Sequence, residues 1–470
     1  MDPIVLTIVI VYLLAMLGVG WWSARRISSN DDFMVAGRRL GPFMLAATLA
    51  ATEVGGGSSL GVSEKAYGEW GLSAAWYVLA MAITFVALSF VAPKLGRTMV
   101  RTVPEGMRLR YGRANGLLSA LILILPMVGL TAIQLMASAT VLSVMTGMGY
   151  ASSVVVVTVV VTAYSVMGGL WSVTITDAVQ WVFIVVGSVL VIPFALDHVG
   201  GWAQMTAHVP AEKLSPTAGM GWGTIVTLTV MYFASFSVGQ ESMQRYFAAK
   251  DERSARLGSI YAALFYGVYA FVPALIGVLA YAMVQGGQLD ASVIEANGAR
   301  YVLPTMAAAV LPSAVVGLLF AGLISATMSS ADSNLLAAGS IFANDIYRTE
   351  LNPDADDARV LRVTRWTMVA VAVFSLGVAL LDFKDMVTVL MFSFSLRAGG
   401  IFVPYVIGHF YQRGTPVGSI AAIVVGSAMV LMVEKGVVDV GGLGSVIPAL
   451  VVGAVFFFTV SKFTSPRETA

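Results

Sequence analysis

Long apolar stretches alternate with short polar ones along nearly the whole chain. A bilayer's hydrocarbon core is about 30 Å thick, so a helical crossing takes about 20 mostly apolar residues. Thirteen stretches answer to that pattern: residues 3–22, 41–63, 71–93, 115–146, 150–167, 173–196, 222–247, 257–285, 313–347, 360–382, 385–411, 417–434 and 441–461. Tyr301 to Leu311 is apolar but too short to cross, and is expected as an interfacial or lid helix in an external loop. The pattern predicts an all-α polytopic membrane protein.

Composition agrees and excludes several alternatives. Of the 470 residues 58% are hydrophobic and 11% charged, where soluble domains are about 45–50% apolar. The 27 basic and 26 acidic residues nearly cancel, so nothing attracts nucleic acid. The absence of cysteine removes disulfides, thiolate metal sites and a cysteine nucleophile. His198, His208 and His409 are too scattered for a metal cluster, and no serine or histidine arrangement supports a membrane hydrolase. The chain is not expected to be an enzyme.

Charge sets the orientation. The first stretch follows only Met1, Asp2 and Pro3 and precedes Arg25, Arg26, Arg38 and Arg39, the reverse of a signal peptide's order. It reads as a retained anchor with its N-terminus outside. Assigning loops alternately from there puts 21 of the 27 basic residues inside and five outside, Lys65, Lys213, Arg300, Lys384 and Lys435, with Arg397 in a span. Because cytoplasmic loops hold the basic excess, thirteen spans with N-terminus out and C-terminus in are expected. No Asn-x-Ser/Thr sequon occurs, which fits a bacterial cytoplasmic (inner) membrane.

Two spans are interrupted. The second contains Gly55-Gly56-Gly57, and the seventh carries Gly239, Gln240 and Glu241 within Ser235 to Ser242. Each glycine costs about 1 kcal/mol against alanine in a helix, and a broken helix in a bilayer is tolerated only where protein buries it or it lines a cavity. Glycine also serves close helix packing. Breaks five spans apart suit two five-helix inverted repeats, each opening with a discontinuous helix at a midplane site. The expected organisation is residues 1–40 as anchor and loop, 41–221 and 222–411 as the two repeats, and 412–470 as two further helices and a tail.

Ionisable groups within the spans are Glu53, Asp177, Glu241, Asp332 and Arg397, four acids against one base. Centring a charge there costs at least about 2.5 kcal/mol, so cations, protons or a cationic ligand are expected to balance them. The ninth span holds Ser325-Ala326-Thr327-Met328-Ser329-Ser330-Ala331-Asp332-Ser333-Asn334. One or two serines can back-bond to their own helix, but a hydroxyl-rich run with a carboxylate suits a small hard cation that prefers oxygen.

These segments resemble the sodium:solute symporter family along almost the whole chain. The likeness rests on Gly168-Gly169 with Thr176-Asp177-Ala178-Val179-Gln180, on Gln244-Arg245 at the cytoplasmic end of the seventh span, and on Ser325 to Tyr347, ending Asn344-Asp345-Ile346-Tyr347. Within the family it is most similar to the high-affinity choline transporter branch, through Val54 to Gly57, Met328 to Ser333 and Val191 to Leu196. The resemblance implies a LeuT-type fold and sodium-driven uptake. It implies a sodium site made by the carbonyls of Ala51, Val54 and Ala326 and the hydroxyls of Ser329 and Ser330, and an Asp177 linked to sodium release. Glu53 falls where proline carriers have a sodium-linked aspartate. The choline branch has tryptophans in the broken helices where this chain has Glu53 and Gly239, so the resemblance stops short of choline's aromatic cage.

The expected function is sodium-coupled import of a small polar solute, an amine or zwitterion, by a monomer in the bilayer with Na+ as coupling ion. Substrate candidates are Glu53, Gly55, Gly56, Gly57, Gly239, Gln240, Glu241 and Arg397. Glu53 and Glu241 either flank the cavity and hold an ammonium, or one of them pairs with Arg397. The alternative function is a transporter-like sensor that binds solute without net transport; the chain ends nine residues after the last span, which leaves no room for a kinase domain. Tyr67, Trp70, Trp76 and Tyr77 either line an external vestibule or, the favoured reading, form an interfacial aromatic belt, and Asp345 and Arg348 are expected in a solvated loop.

Overall fold

Prolines at helix starts, glycines at breaks and short polar caps bound the helices. The structure, a computed structural model, describes residues 2–25, 30–96, 100–383 and 385–464, and among them it is helical with no strand. In chain order the longer helices are α1 (Pro3–Ala24), α2 (Pro42–Glu53), α3 (Trp76–Gly96), α4 (Val103–Tyr111), α5 (Arg113–Thr146), α6 (Tyr150–Val199), α7 (Gly221–Phe236) and α8 (Gln240–Phe247). They continue as α9 (Glu252–Tyr269), α10 (Phe271–Gln285), α11 (Val302–Val310), α12 (Ser313–Ile341), α13 (Asp357–Ala379), α14 (Met386–Phe402), α15 (Pro416–Glu434) and α16 (Val446–Phe463). The short helix foreseen near Tyr301 is α11.

At 1.5 Å per residue α6 would run roughly 75 Å if straight, more than twice the hydrocarbon thickness. Gly169 turns it, with φ 52° and ψ −160°, a conformation in which a side chain would be strained. A Cβ there would also stand 2.5 Å from the Phe33 ring.

By length and apolarity alone nine helices, or ten with the bent pair α7 and α8 as one, can cross a membrane among the described residues. This is fewer than the thirteen stretches predicted, for visible reasons. Stretches 150–167 and 173–196 join as α6, the run after the glycine break joins α3 in Gly57–Leu95, and Pro3–Val19 is shorter than the length required. Of the charge count, Arg26, Arg97, Lys384 and Arg467 lie outside the described residues.

The centre of the bundle is α12, buried at every residue from Leu319 to Ile341. It packs against α5 and α6, with α1 and α13 alongside and the broken pairs α2 and α8 on another flank. Its polar run therefore faces protein on all sides. A helix dry all round satisfies its own backbone, which leaves the serine and aspartate side chains to be matched by neighbours. The two broken helices are also tied together: Leu40 N donates to Ala248 O and Lys250 N to Leu40 O, both at 3.0 Å.

Candidate functional site

The first interruption follows directly from its glycines. Helix α2 ends at Glu53, Val54 leaves helical geometry with φ −84° and ψ 75°, and a wide-turned helical run resumes at Gly57–Gly61. A Cβ on Gly55 would come within 2.5 Å of both Gln134 Oε1 and Ser330 Oγ, so only glycine lets α5 and α12 close on the break. The break frees a backbone donor, and Gly56 N gives its hydrogen to Gln134 Oε1 at 2.7 Å. Gln134 had no signal in the sequence beyond being a polar residue in an apolar span. Changing it to leucine should leave that buried N–H unpaired and lower stability by about 1–3 kcal/mol; a thermal midpoint equal to that of the unaltered protein would contradict this.

Oxygens converge where α12 meets the end of α2. Ser329 Oγ donates to Ala51 O at 2.8 Å and Ala326 O at 2.9 Å. Ser330 Oγ donates to Thr52 O at 2.6 Å and Ala326 O at 3.1 Å. Four of the five residues expected to hold sodium thus meet, and Val54 stands at the break itself; Thr52 joins them unforeseen. Ser325 behaves otherwise, its hydroxyl returning to Ala321 O of its own helix at 2.7 Å.

Below this cluster lies Arg245, and here the sequence reading needs correction. Counted among the cytoplasmic basic residues, Arg245 is in fact 1% exposed. Its side chain runs back along α8, so that Nη1 reaches Glu241 O at 2.7 Å. Nε donates to Thr48 Oγ1 at 2.8 Å, and Nη2 to Asp177 Oδ2 at 3.1 Å and Ser333 Oγ at 2.7 Å. Arg245 thus joins Arg397 as a second base beside Glu53, Asp177, Glu241 and Asp332, and the inside tally falls from 21 to 20. Thr48 also donates to Asp177 Oδ2, while Asp177 Oδ1 has no partner among the described residues. Tyr164 donates to Asp332, and Ser333 links Asp332 Oδ1 at 3.2 Å to Ser329 O at 2.6 Å. One hydrogen-bonded path thus joins the oxygen cluster to both aspartates.

The second interruption, Ser237 to Gly239, bends α7 from α8 by 53°. Arg397 Nη1 sits 2.5 Å from Glu241 Oε1, and its Nε donates to Ser235 Oγ at 2.5 Å. Both charged side chains are dry, 0% and 3% exposed. A Cβ on Gly239 would lie 2.6 Å from Glu241 Oε1 and 2.9 Å from Arg397 Cζ, so this glycine makes room for the pair. Of the two alternatives for Arg397, the structure has it on Glu241. Glu53 instead accepts from Ser242 Oγ at 2.5 Å, and it is in no ion pair among the described residues.

A narrow cavity of about 20 Å³ lies between the breaks, lined among others by Glu53, Glu241, Gln134, Asn334, Tyr77 and Phe394. Of the predicted substrate residues Gly55 and Gly57 also line it; Gly56, Gly239, Gln240 and Arg397 do not. Gln240 is drawn away to α4, accepting from Val103 N and donating to Arg101 O, both at 2.9 Å. Tyr77 is not in an interfacial belt: it is buried against Tyr232, ring centres 5.6 Å apart. Asp345 is not solvated either, because residues 342–351 continue α12 as a wide-turned helix that buries it.

At the far end of the first broken helix, Lys65 Nζ bonds Asp385 Oδ2 at 2.9 Å, and Asp385 in turn caps α14 through Thr388 N at 3.1 Å. Burial raises the Asp385 carboxyl, but the hydrogen bonds from Lys65 and Thr388 prevail and hold it below its ordinary range.

Residues 33–426 match the model of the sodium:solute symporter family. Over 475 residues the chain is 25% identical to the osmoregulated proline transporter of Bacillus subtilis, covering 97% of this chain and 94% of that one. It is 28% identical to the high-affinity choline transporter 1 of Drosophila melanogaster, over 90% of this chain and 70% of that one. Its fold is similar to that of a Na+-coupled sialic acid symporter in a substrate-bound, outward-open state, with a TM-score of 0.86, 21% identity and 100% of each chain covered.

Proposed function

We propose, from the premise that this chain belongs to the sodium:solute symporter family, that its cavity admits a small polar solute bearing a cationic nitrogen and passes it inward with sodium. Membership makes the protein an integral membrane symporter with sodium as its coupling ion, not an enzyme. Its helices take a LeuT-like arrangement. The finer reading concerns the site and the solute.

The observation that carries it is the division of charge around the cavity. Arg397 is taken by Glu241 and Arg245 by Asp177, while Glu53 lines the cavity with a hydroxyl as its partner. An ammonium about 4 Å from that carboxylate gains roughly 4 kcal/mol at an effective dielectric near 20, before desolvation. Beside it, the carbonyls of Ala51, Val54 and Ala326 and the hydroxyls of Ser329 and Ser330 hold sodium, a neutral oxygen set suited to a hard cation. Asp177, with one oxygen open, takes part in sodium's release. Residues 41–221 and 222–411 act as inverted repeats whose broken helices meet at this site, and rocking of one bundle against the other alternates access. With Arg245 withdrawn, 20 basic residues against five still favour thirteen spans, N-terminus out and C-terminus in, in a bacterial inner membrane. One chain holds all of these residues, so a monomer suffices.

Purified protein in liposomes tests the reading: an inward sodium gradient should drive solute accumulation. Solute bound without accumulation would instead make the protein a sensor. The solute class emerges from a thermal-shift screen in which an amine or zwitterion stabilises only with sodium present. Glu53→Gln should weaken such a solute about tenfold, the loss of one charge-assisted hydrogen bond, and leave neutral solutes unchanged. Equal affinity in both proteins would remove Glu53 from the solute site.

A further inference from the structure

The outer face of α13 carries a stripe that the transport reading does not use. Arg359, Arg362, Trp366, Ala370 and Phe374 follow one another at helical three- and four-residue steps, with Val363 one turn after Arg359, so they share one side of the helix. This side faces α5 across an open groove of about 530 Å³, with Ile124 and Val128 on the opposite wall and Tyr347 also lining it. Ser375 Oγ donates to Val128 O at 3.0 Å and fixes the two helices at the groove's floor. Trp366 and Phe374 are each 68% exposed, large apolar groups turned outward.

We propose that this groove seats one anionic phospholipid, its phosphate between Arg359 and Arg362 and an acyl chain along Trp366 to Phe374. The order of chemistry along the helix is that of a lipid from headgroup to tail. Both arginines are exposed in the first two turns, and neither forms an ion pair among the described residues. Three of the nearby acids are engaged: Asp357 with Arg348 at 3.1 Å, Glu350 with Arg113 at 2.5 Å, and Asp356 as the cap that accepts from Arg359 N at 2.8 Å. Trp366 comes one turn deeper, the depth at which its amphipathic ring is favoured. From Arg362 to Phe374 the helix rises about 18 Å, close to half of the roughly 30 Å hydrocarbon core and so to one leaflet. Basic pockets between membrane helices bind anionic headgroups for the same electrostatic reason.

Native mass spectrometry of the purified full chain with phosphatidylglycerol or phosphatidylcholine tests the seat. The unaltered protein should retain phosphatidylglycerol in preference. Arg359→Gln and Arg362→Gln should each weaken that retention about fivefold, and the double variant about 25-fold, with phosphatidylcholine unaffected. Because both side chains are exposed, the sodium-dependent thermal shift should not move, which separates loss of the lipid from loss of the fold. Equal retention of the two lipids, or a double variant that keeps phosphatidylglycerol, overturns the proposal. So does competition by inorganic phosphate at the same concentration, which would mean that the acyl chain is not read. A dimer that Trp366→Ala dissolves while lipid retention stays constant would give the face to a second copy and equally overturn it.

Discussion

Arg245→Gln should be the most damaging single change in the protein, lowering stability by about 3–5 kcal/mol. The reason is what it leaves behind. Among the described residues Arg245 is the one cation in contact with Asp177 and, through Ser333, with Asp332, and both carboxylates are 0% exposed. Removing it strands two acids in a dry bundle and takes donors from Thr48, Ser333 and the Glu241 carbonyl as well. The companion variant Asp177→Asn with Arg245→Gln should recover part of the loss, because a neutral amide pair requires no compensating charge. Arg245→Lys should fall between, since an ammonium keeps the charge but cannot reproduce the guanidinium's several fixed donors. Thermal midpoints of the three variants, each measured in the same sodium, give the comparison. If Arg245→Gln melts with the unaltered protein, or if the double variant is no better than the single, the charge account of this cluster is wrong.

That cluster also marks where sequence reading reaches its limit. The breaks at Gly55 to Gly57 and at Gly239 were legible because glycine's effect on a helix is local: no partner need be known. Partners are another matter. Arg397 and Glu241 are 156 residues apart, and Gly56 and Gln134 are 78 apart; nothing in either neighbourhood states which group the other will meet. Arg245 was misplaced for a related reason. It sits at the end of an apolar run, where basic residues usually mark the membrane surface, and only the path of α8 beneath α12 reveals that it turns inward. Gln240 shows the converse, a polar residue in a break that the fold assigns to α4 rather than to the cavity. Tyr77 follows the same logic: beside Trp76 it reads as an interfacial aromatic, whereas its own side of the helix faces Tyr232. The sodium residues were reached through a family resemblance, since hydroxyls within an apolar helix do not by themselves distinguish a cation site from back-bonding. The structure separates the two by where each hydroxyl points.

That separation yields the second large effect. Ser329→Ala and Ser330→Ala should each raise the sodium concentration needed for half-maximal uptake by about 10- to 100-fold, the equivalent of one lost hydroxyl contact to a charge. Both hydroxyls bridge from α12 to carbonyls at the end of α2, Ala51 O and Thr52 O, so an ion placed there can exchange those hydrogen bonds for direct coordination while the carbonyls stay in position. Ser325→Ala supplies the internal control. Its hydroxyl donates to Ala321 O of its own helix and otherwise meets Tyr12 of α1 rather than the carbonyls of α2, and its removal should leave sodium dependence unchanged. Coupling between the two ligands is reciprocal, so at a fixed, limiting sodium concentration the same two variants should also weaken solute binding, and saturating sodium should restore it. A Ser325→Ala defect as large as that of Ser329→Ala would mean that the serines act through packing of α12 as a whole. Solute binding that stays weak at saturating sodium would place Ser329 and Ser330 in the solute site rather than the ion site.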